Sequence, residues 1–98
     1  MSAAYDLYLP AENSLTIDEI LAGNGFEIRS KPKRLATGNT GKDHTVLDGR
    51  NRLTILEAPP SEQLPYRYFL ILVPLRNSDL PGKIISIFEA RGATREPG

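Results

Sequence analysis

One stretch dominates the pattern of hydrophobic and polar positions. Tyr66–Leu75 is the only long apolar run in the chain. Its aromatic and aliphatic residues, with Pro65 before it and Asn77, Ser78 and Asp79 after it, predict a buried strand. Side chains alternate between the faces of a strand. Tyr66, Tyr68, Leu70 and Leu72 therefore share one face, and Arg67, Phe69, Ile71 and Val73 share the other. From Phe69 onward both faces are apolar, which predicts cover on both sides of the far half and leaves Arg67 in water. Pro74 has no N–H to donate, so pairing should stop there or bulge.

The other signals are shorter. Tyr5–Leu9 is β-prone and ends at Pro10, which predicts a strand, and Ala11–Asn13 reads as a turn. Thr16 and Glu19 have the T-x-x-E spacing of a capping box, with Leu15 and Ile20 placed for a hydrophobic staple. Asp18 and Glu19 suit the positive end of the helix dipole. Ile17, Ile20 and Leu21 would be the buried side of this two-turn helix, and Gly23 or Gly25 its left-handed stop. Phe26–Arg29 alternates as a half-buried strand with Phe26 and Ile28 inward. Residues 30–43 show no period and contain Pro32, Gly38 and Gly41. They are expected to form a long basic, glycine-containing loop of the kind that is usually functional or mobile.

Asp48-Gly49 is a strong turn signal, so Thr45–Leu47 and Arg52–Glu57 are expected to form a hairpin with Leu53, Ile55 and Leu47 toward the core. Three prolines in Ala58–Pro65 make that segment a loop. Leu80, Ile84, Ile87 and Phe88 fall on one helical face, with Ser78 or Asp79 as cap, Pro81 in the first turn and Gly92 as the stop. The competing reading of that segment is a strand, because Ile84–Phe88 is β-prone and Pro81-Gly82 could turn. Residues 93–98 are expected to be a frayed tail. The order is β-α-β-β-β-β-(α). It predicts one α+β domain over residues 1–98, a mostly antiparallel sheet of about five strands with one or two short helices on one face. Such a domain folds to a radius of gyration of roughly 13 Å.

Composition narrows the setting. The chain is 40% hydrophobic, enough for a small core and too much for general disorder. It has no cysteine, which removes thiol chemistry and disulfides and suits a reducing compartment. The first residues have no basic, then apolar, leader pattern, and no segment approaches the ~20 apolar residues of a spanning helix. A cytoplasmic protein is expected. Net charge is zero, but it is segregated. Residues 1–28 carry five acidic side chains and no Lys or Arg, while residues 29–52 carry seven basic side chains against Asp43 and Asp48.

Candidate chemistry is sparse. Ala36–Asp43 resembles a phosphate loop only superficially: Ala36 stands where the motif needs Gly, and Asp43 where it needs the Ser or Thr that binds magnesium. His44 is the only histidine, so no cofactor and no metal site are expected, and it is read as a solvated loop residue. Asp43 or Asp48 could orient it as a base, although Asp43 as its neighbour should point the other way along a strand. Asp18 and Glu19 are accounted for by capping, and no serine lies in a nucleophile-elbow pattern. No catalytic residues are assigned.

The remaining feature is basic. Arg29, Lys31, Lys33 and Arg34, with Lys42, Arg50 and Arg52, could form a partner-binding patch. Tyr66 and Tyr68 could stack on bases or line a sheet edge. The plainer readings are a solvated face and half-buried packing tyrosines. The expected class is a small non-enzymatic protein-interaction module of adaptor, inhibitor or immunity type, with a protein partner or self-association. A nucleic-acid-binding domain using the basic 29–52 segment is the alternative. A small-ligand-binding protein or small enzyme around His44 is the third.

Overall fold

The computed structural model describes residues 3–12, 16–36, 38–49, 51–73 and 79–96. The elements are β1 (Ala3–Pro10), α1 (Ile17–Ala22), β2 (Glu27–Arg34), β3 (Thr40–Asp48), β4 (Asn51–Ala58), β5 (Tyr66–Val73) and α2 (Leu80–Ala90). The strands form one sheet in the order β1-β5-β4-β3-β2, and every neighbouring pair is antiparallel. Strands β2 to β5 are a meander; β1 closes on β5, and the chain crosses from one edge to the other through α1. This is the α+β architecture that the hydrophobic pattern predicts.

Local chemistry explains both helices. Thr16 caps α1: its Oγ1 accepts from the Glu19 N–H at 3.2 Å. Leu15, its expected staple residue, lies outside the described residues, as do Asn13, Arg50, Ser78 and Pro74. At the far end the N–H groups of Gly25 and Phe26 return to the carbonyls of Ala22 and Leu21, with φ +86 at Gly25. Gly25, not Gly23, is thus the left-handed stop. For Leu80–Ala90 the helix reading holds. Leu80, Ile84, Ile85 and Phe88 are buried together, a spacing that only a helix brings to one side. Asp79 occupies its N-cap position without a side-chain capping bond.

The core lies between the helices and one face of the sheet. Leu7, Leu9, Val46, Leu53, Ile55, Phe69 and Ile71 meet Ile17, Ile20, Leu21, Leu80, Ile84, Ile85 and Phe88, all buried. The Phe69 and Phe88 rings stack with centroids 5.1 Å apart. The radius of gyration is 12.9 Å.

Four expectations about these elements are corrected. Residues 30–43 are not a long loop: β2 runs on to Arg34 and β3 begins at Thr40, paired through Ser30↔His44, Pro32↔Lys42 and Arg34↔Thr40. The hydrophobic period is missing because this hairpin end is an edge with water on both sides, where proline and lysine are tolerated. Residues 93–96 are not frayed. The Gly92 and Ala93 N–H groups bond to the Glu89 and Phe88 carbonyls, Ala93 is buried, and Thr94 pairs with Tyr8 on the outer edge of β1. Finally, β5 is not covered on both sides. Leu70 is half-buried and Leu72 is 37% exposed, because α1 and α2 both pack on the Phe69 face. Arg67, expected in water, is half-buried on the helix side beside Leu9.

Candidate functional site

The face away from the helices is open. Register and alternation put Tyr8, Tyr66, Tyr68, Leu70, Leu72 and Leu56 on it, with Leu47, expected toward the core, there as well. An antiparallel sheet with one solvated face normally shows polar residues on that face. Here its centre is apolar.

The basic candidates separate. Arg29, Lys31 and Lys33 form an exposed ridge on the open side of β2, and Arg52 is exposed on the open side of β4. Arg34 and Lys42 alternate to the helix side of the same hairpin. Arg50 lies outside the described residues. The sheet therefore does not gather the six described cations into one patch. Arg29 makes a loose, exposed pair with Glu27 at 3.9 Å, and Lys31 stands across from Asp43 in the ladder.

The tyrosines cluster at the opposite side of the sheet. Tyr8 packs edge-on to Tyr66 at 6.5 Å between centroids and lies 5.3 Å from Tyr68. The Tyr68 hydroxyl donates to the Asp6 carboxylate. Burial, followed by this hydrogen bond and the Asp6 charge, pushes the Tyr68 phenol well above its ordinary value. Three strand spacings, roughly 14 Å, separate Tyr68 from the basic ridge on β2. The tyrosine end thus carries a negative charge, and aromatic and basic residues are not interleaved as in a base-stacking platform.

A second constellation lies on the helix side. His44 is fully buried, not solvated, and its ring nitrogens meet Ser30 and Glu57 rather than Asp43 or Asp48. Asp43 points to the opposite face, as alternation requires. The Ser30 Oγ lies 2.6 Å from His44 Nδ1, and Glu57 Oε1 lies 2.8 Å from Nε2. Asp18, on α1, places Oδ1 3.1 Å from the Ser30 Oγ and 3.5 Å from His44 Nδ1. A carboxylate only accepts, so the Glu57 contact sets the proton on Nε2. Nδ1 is then free to accept from Ser30. The Ser30 hydroxyl donates to Asp18 Oδ1, and its Oγ also lies within hydrogen-bond reach of His44 Nδ1, to which the same proton can turn.

Beside Ser30 lies a groove of about 390 Å³, lined by Ser30, Lys31, Pro32, Thr40, Gly41 and Lys42. Among the described residues, no group of three metal-ligating side chains converges; the two carboxylates sit at opposite nitrogens of the ring. Nothing in the sequence joins Ser30, His44 and Glu57. They stand fourteen and thirteen residues apart and meet only through the register of β2, β3 and β4. The phosphate-loop lookalike is resolved too: Gly41, Lys42 and Asp43 lie in β3 rather than before a helix, while Thr37 is outside the described residues.

Together these features define a small antiparallel α+β protein with an open apolar sheet face and a buried histidine on the other side. No protein-family model matches the chain, and neither a curated protein nor a solved structure matches it. Among the described residues no helix is long and apolar enough to cross a membrane.

Proposed function

We propose that the protein is a protein-interaction module that docks through the open sheet face, and that the occupant is a second copy of this chain. The observation that carries the reading is the exposure of Leu72, beside half-buried Leu70 and Leu56, on a face that no helix covers. Contiguous exposed apolar surface marks interaction sites.

The edges are poorer candidates. β2 presents Lys31, Pro32 and Lys33, residue types that block edge pairing, and β1 is partly capped by Thr94. The face, by contrast, carries opposite charges at its two edges, Asp6 on β1 and Lys31 on β2, with Leu70 and Asp43 flanking β4. One row across it runs Asp6–Leu70–Leu56–Asp43–Lys31, with the middle strand β4 at its centre. A two-fold axis along β4 lays Leu56 on Leu56 and Asp6 over Lys31 of the other copy. Two residues along, Tyr8 meets Lys33 in reach of a cation–π contact. Five strands at ~4.8 Å spacing, each rising ~3.3 Å per residue, make a face of about 20 by 25 Å. With side chains and rim this approaches the ~800 Å² per partner of a standard interface. We infer a cytoplasmic setting from the absence of cysteine.

The test is the solution mass of the untagged chain by size exclusion with light scattering, at low and high salt. A salt-resistant dimer is expected. Lys31→Glu should weaken it, and Asp6→Lys in the same chain should restore it. A monomer at both salts up to the solubility limit overturns the reading. A monomer that instead binds single-stranded oligonucleotide with a steep salt dependence favours nucleic acid as the occupant.

A further inference from the structure

We propose that Ser30 is an activated nucleophile, with His44 as its base and Glu57 as the residue that positions the base, and that the adjoining groove accepts a carboxylic ester carrying a negative charge. This goes beyond docking and uses the other side of the sheet. The geometry has three features that such chemistry requires. The nucleophile is within hydrogen-bond reach of the base at 2.6 Å, and the base is held by a carboxylate at 2.8 Å. The third is access. His44 is sealed from water while Ser30 is exposed and lines the groove, so the serine stands between the base and the groove.

The carboxylates on either side of the ring suit the same role. When Ser30 gives up its proton, the imidazole becomes a cation. Glu57 at Nε2 and Asp18 at 3.5 Å from Nδ1 then stabilise that charge. Asp18 sits on α1, Ser30 on β2, His44 on β3 and Glu57 on β4, so four elements fix the ring. The groove itself sets the substrate class. Its walls include Pro32 and the backbone at Gly41, and its lining cations are Lys31 and Lys42. Lys42 alternates to the same side as Ser30, so it meets either a carboxylate on the substrate or the oxyanion of the intermediate.

The step balances as an acyl transfer. Ser30 Oγ bonds to the ester carbonyl carbon, and its proton passes to His44 Nδ1. The intermediate collapses, the bond to the alcohol oxygen breaks, and the alcohol leaves with the Nδ1 proton. Water then attacks the acyl–Ser30 ester through the same base, releasing the carboxylic acid and restoring the serine hydroxyl.

The full chain is treated with diisopropyl fluorophosphate and its adduct mapped by peptide mass spectrometry. The expected result is one diisopropylphosphoryl group on Ser30, with fluoride released and the proton taken by His44. Ser30→Ala, in a chain whose circular dichroism and melting show that it still folds, should abolish labelling. Glu57→Gln should slow labelling at saturation by about tenfold or more, a part of the ~10²–10⁴-fold that a positioned base contributes, with little change in the half-saturating concentration. Hydrolysis of p-nitrophenyl hemisuccinate should exceed that of p-nitrophenyl acetate in kcat/KM, and Lys42→Ala should remove the preference. An unlabelled protein, or a label elsewhere that survives in Ser30→Ala, means that the bonds only hold a buried imidazole and overturns the proposal. Equal turnover of the two esters overturns the assigned substrate charge.

Discussion

The same chemical change, glycine to alanine, should have opposite effects at two positions in this chain. At Gly41 a Cβ would lie 2.2 Å from the backbone oxygen of Glu57 and 3.1 Å from both Leu35 methyls. Ordinary contact begins at 3.4 Å, so β3 and β4 must separate by roughly 1 Å or more. Overpacking of this kind costs about 1–3 kcal/mol, and a weakened ladder hydrogen bond adds ~1 kcal/mol. The sum is about 2–4 kcal/mol. For a domain of this size each kcal/mol moves Tm by roughly 4–8 °C, so Gly41→Ala should melt about 8–32 °C below the parent. At Gly82, in the first turn of α2, a Cβ meets nothing within 4 Å. Alanine there gains about 0.5–1 kcal/mol of helix propensity, a rise of a few degrees. Both variants are compared by calorimetry at one concentration, since the proposed dimer would make Tm concentration-dependent. A Gly41→Ala protein that melts within about 3 °C of the parent, or two shifts of the same sign, would falsify the close approach of β3 to β4.

Other expectations follow from single contacts. Leu72→Asp should leave the chain folded but dissociate the proposed dimer. A leucine 37% exposed offers on the order of 60 Å² per copy, ~1.5 kcal/mol each and ~3 kcal/mol for both; this is about 100-fold in Kd, measured by sedimentation equilibrium, and an unchanged Kd refutes it. The raised Tyr68 phenol makes stability fully present below its ordinary value of 10.0 and lost progressively as pH climbs above it, because the unfolded chain ionises first. Tyr68→Phe should flatten that alkaline decline in urea midpoints, and Asp6→Asn should lower the phenolate titration seen by ultraviolet absorbance. Thr16→Ala removes the α1 cap and should cost ~1 kcal/mol by denaturant titration. Replacing Lys31, Pro32 and Lys33 with Thr, Val and Thr should expose a pairing-competent β2 edge, read as thioflavin-positive aggregation of a chain that still folds.

Much of the fold is legible in the sequence where one local interaction decides it. Thr16 and Glu19 mark α1 because a cap needs only four residues, and the Asp48–Asn51 turn is marked by glycine at φ +62. Gly92 stops α2 for the same kind of reason. The hairpin end between Ser30 and Asp43 is not legible. Its strands are held by ladder bonds at an exposed edge and leave no hydrophobic alternation to read. Residues 93–96 fail similarly: two backbone bonds to Tyr8 hold Thr94, and backbone bonds leave no residue signature.

The candidate sites follow the same division, and β3 shows why. Alternation along that strand is legible, and it correctly turns Asp43 away from His44. What lies opposite His44 is set by register, which depends on both hairpins. The turn at Asp48–Asn51 sets β3 against β4 so that His44 meets Ile55, one step from Glu57 on the same face. The short connection from Leu35 to Asn39 sets β2 against β3 so that Ser30 falls beside His44. A slip of one residue in either hairpin would turn Ser30 or Glu57 to the open face and bury the imidazole without a partner at one nitrogen. A buried unsatisfied group of that kind costs about 1–3 kcal/mol. The hydrogen bonds of His44 therefore select the register of three strands, whatever chemistry Ser30 performs, and a solvated histidine at this position could not do so.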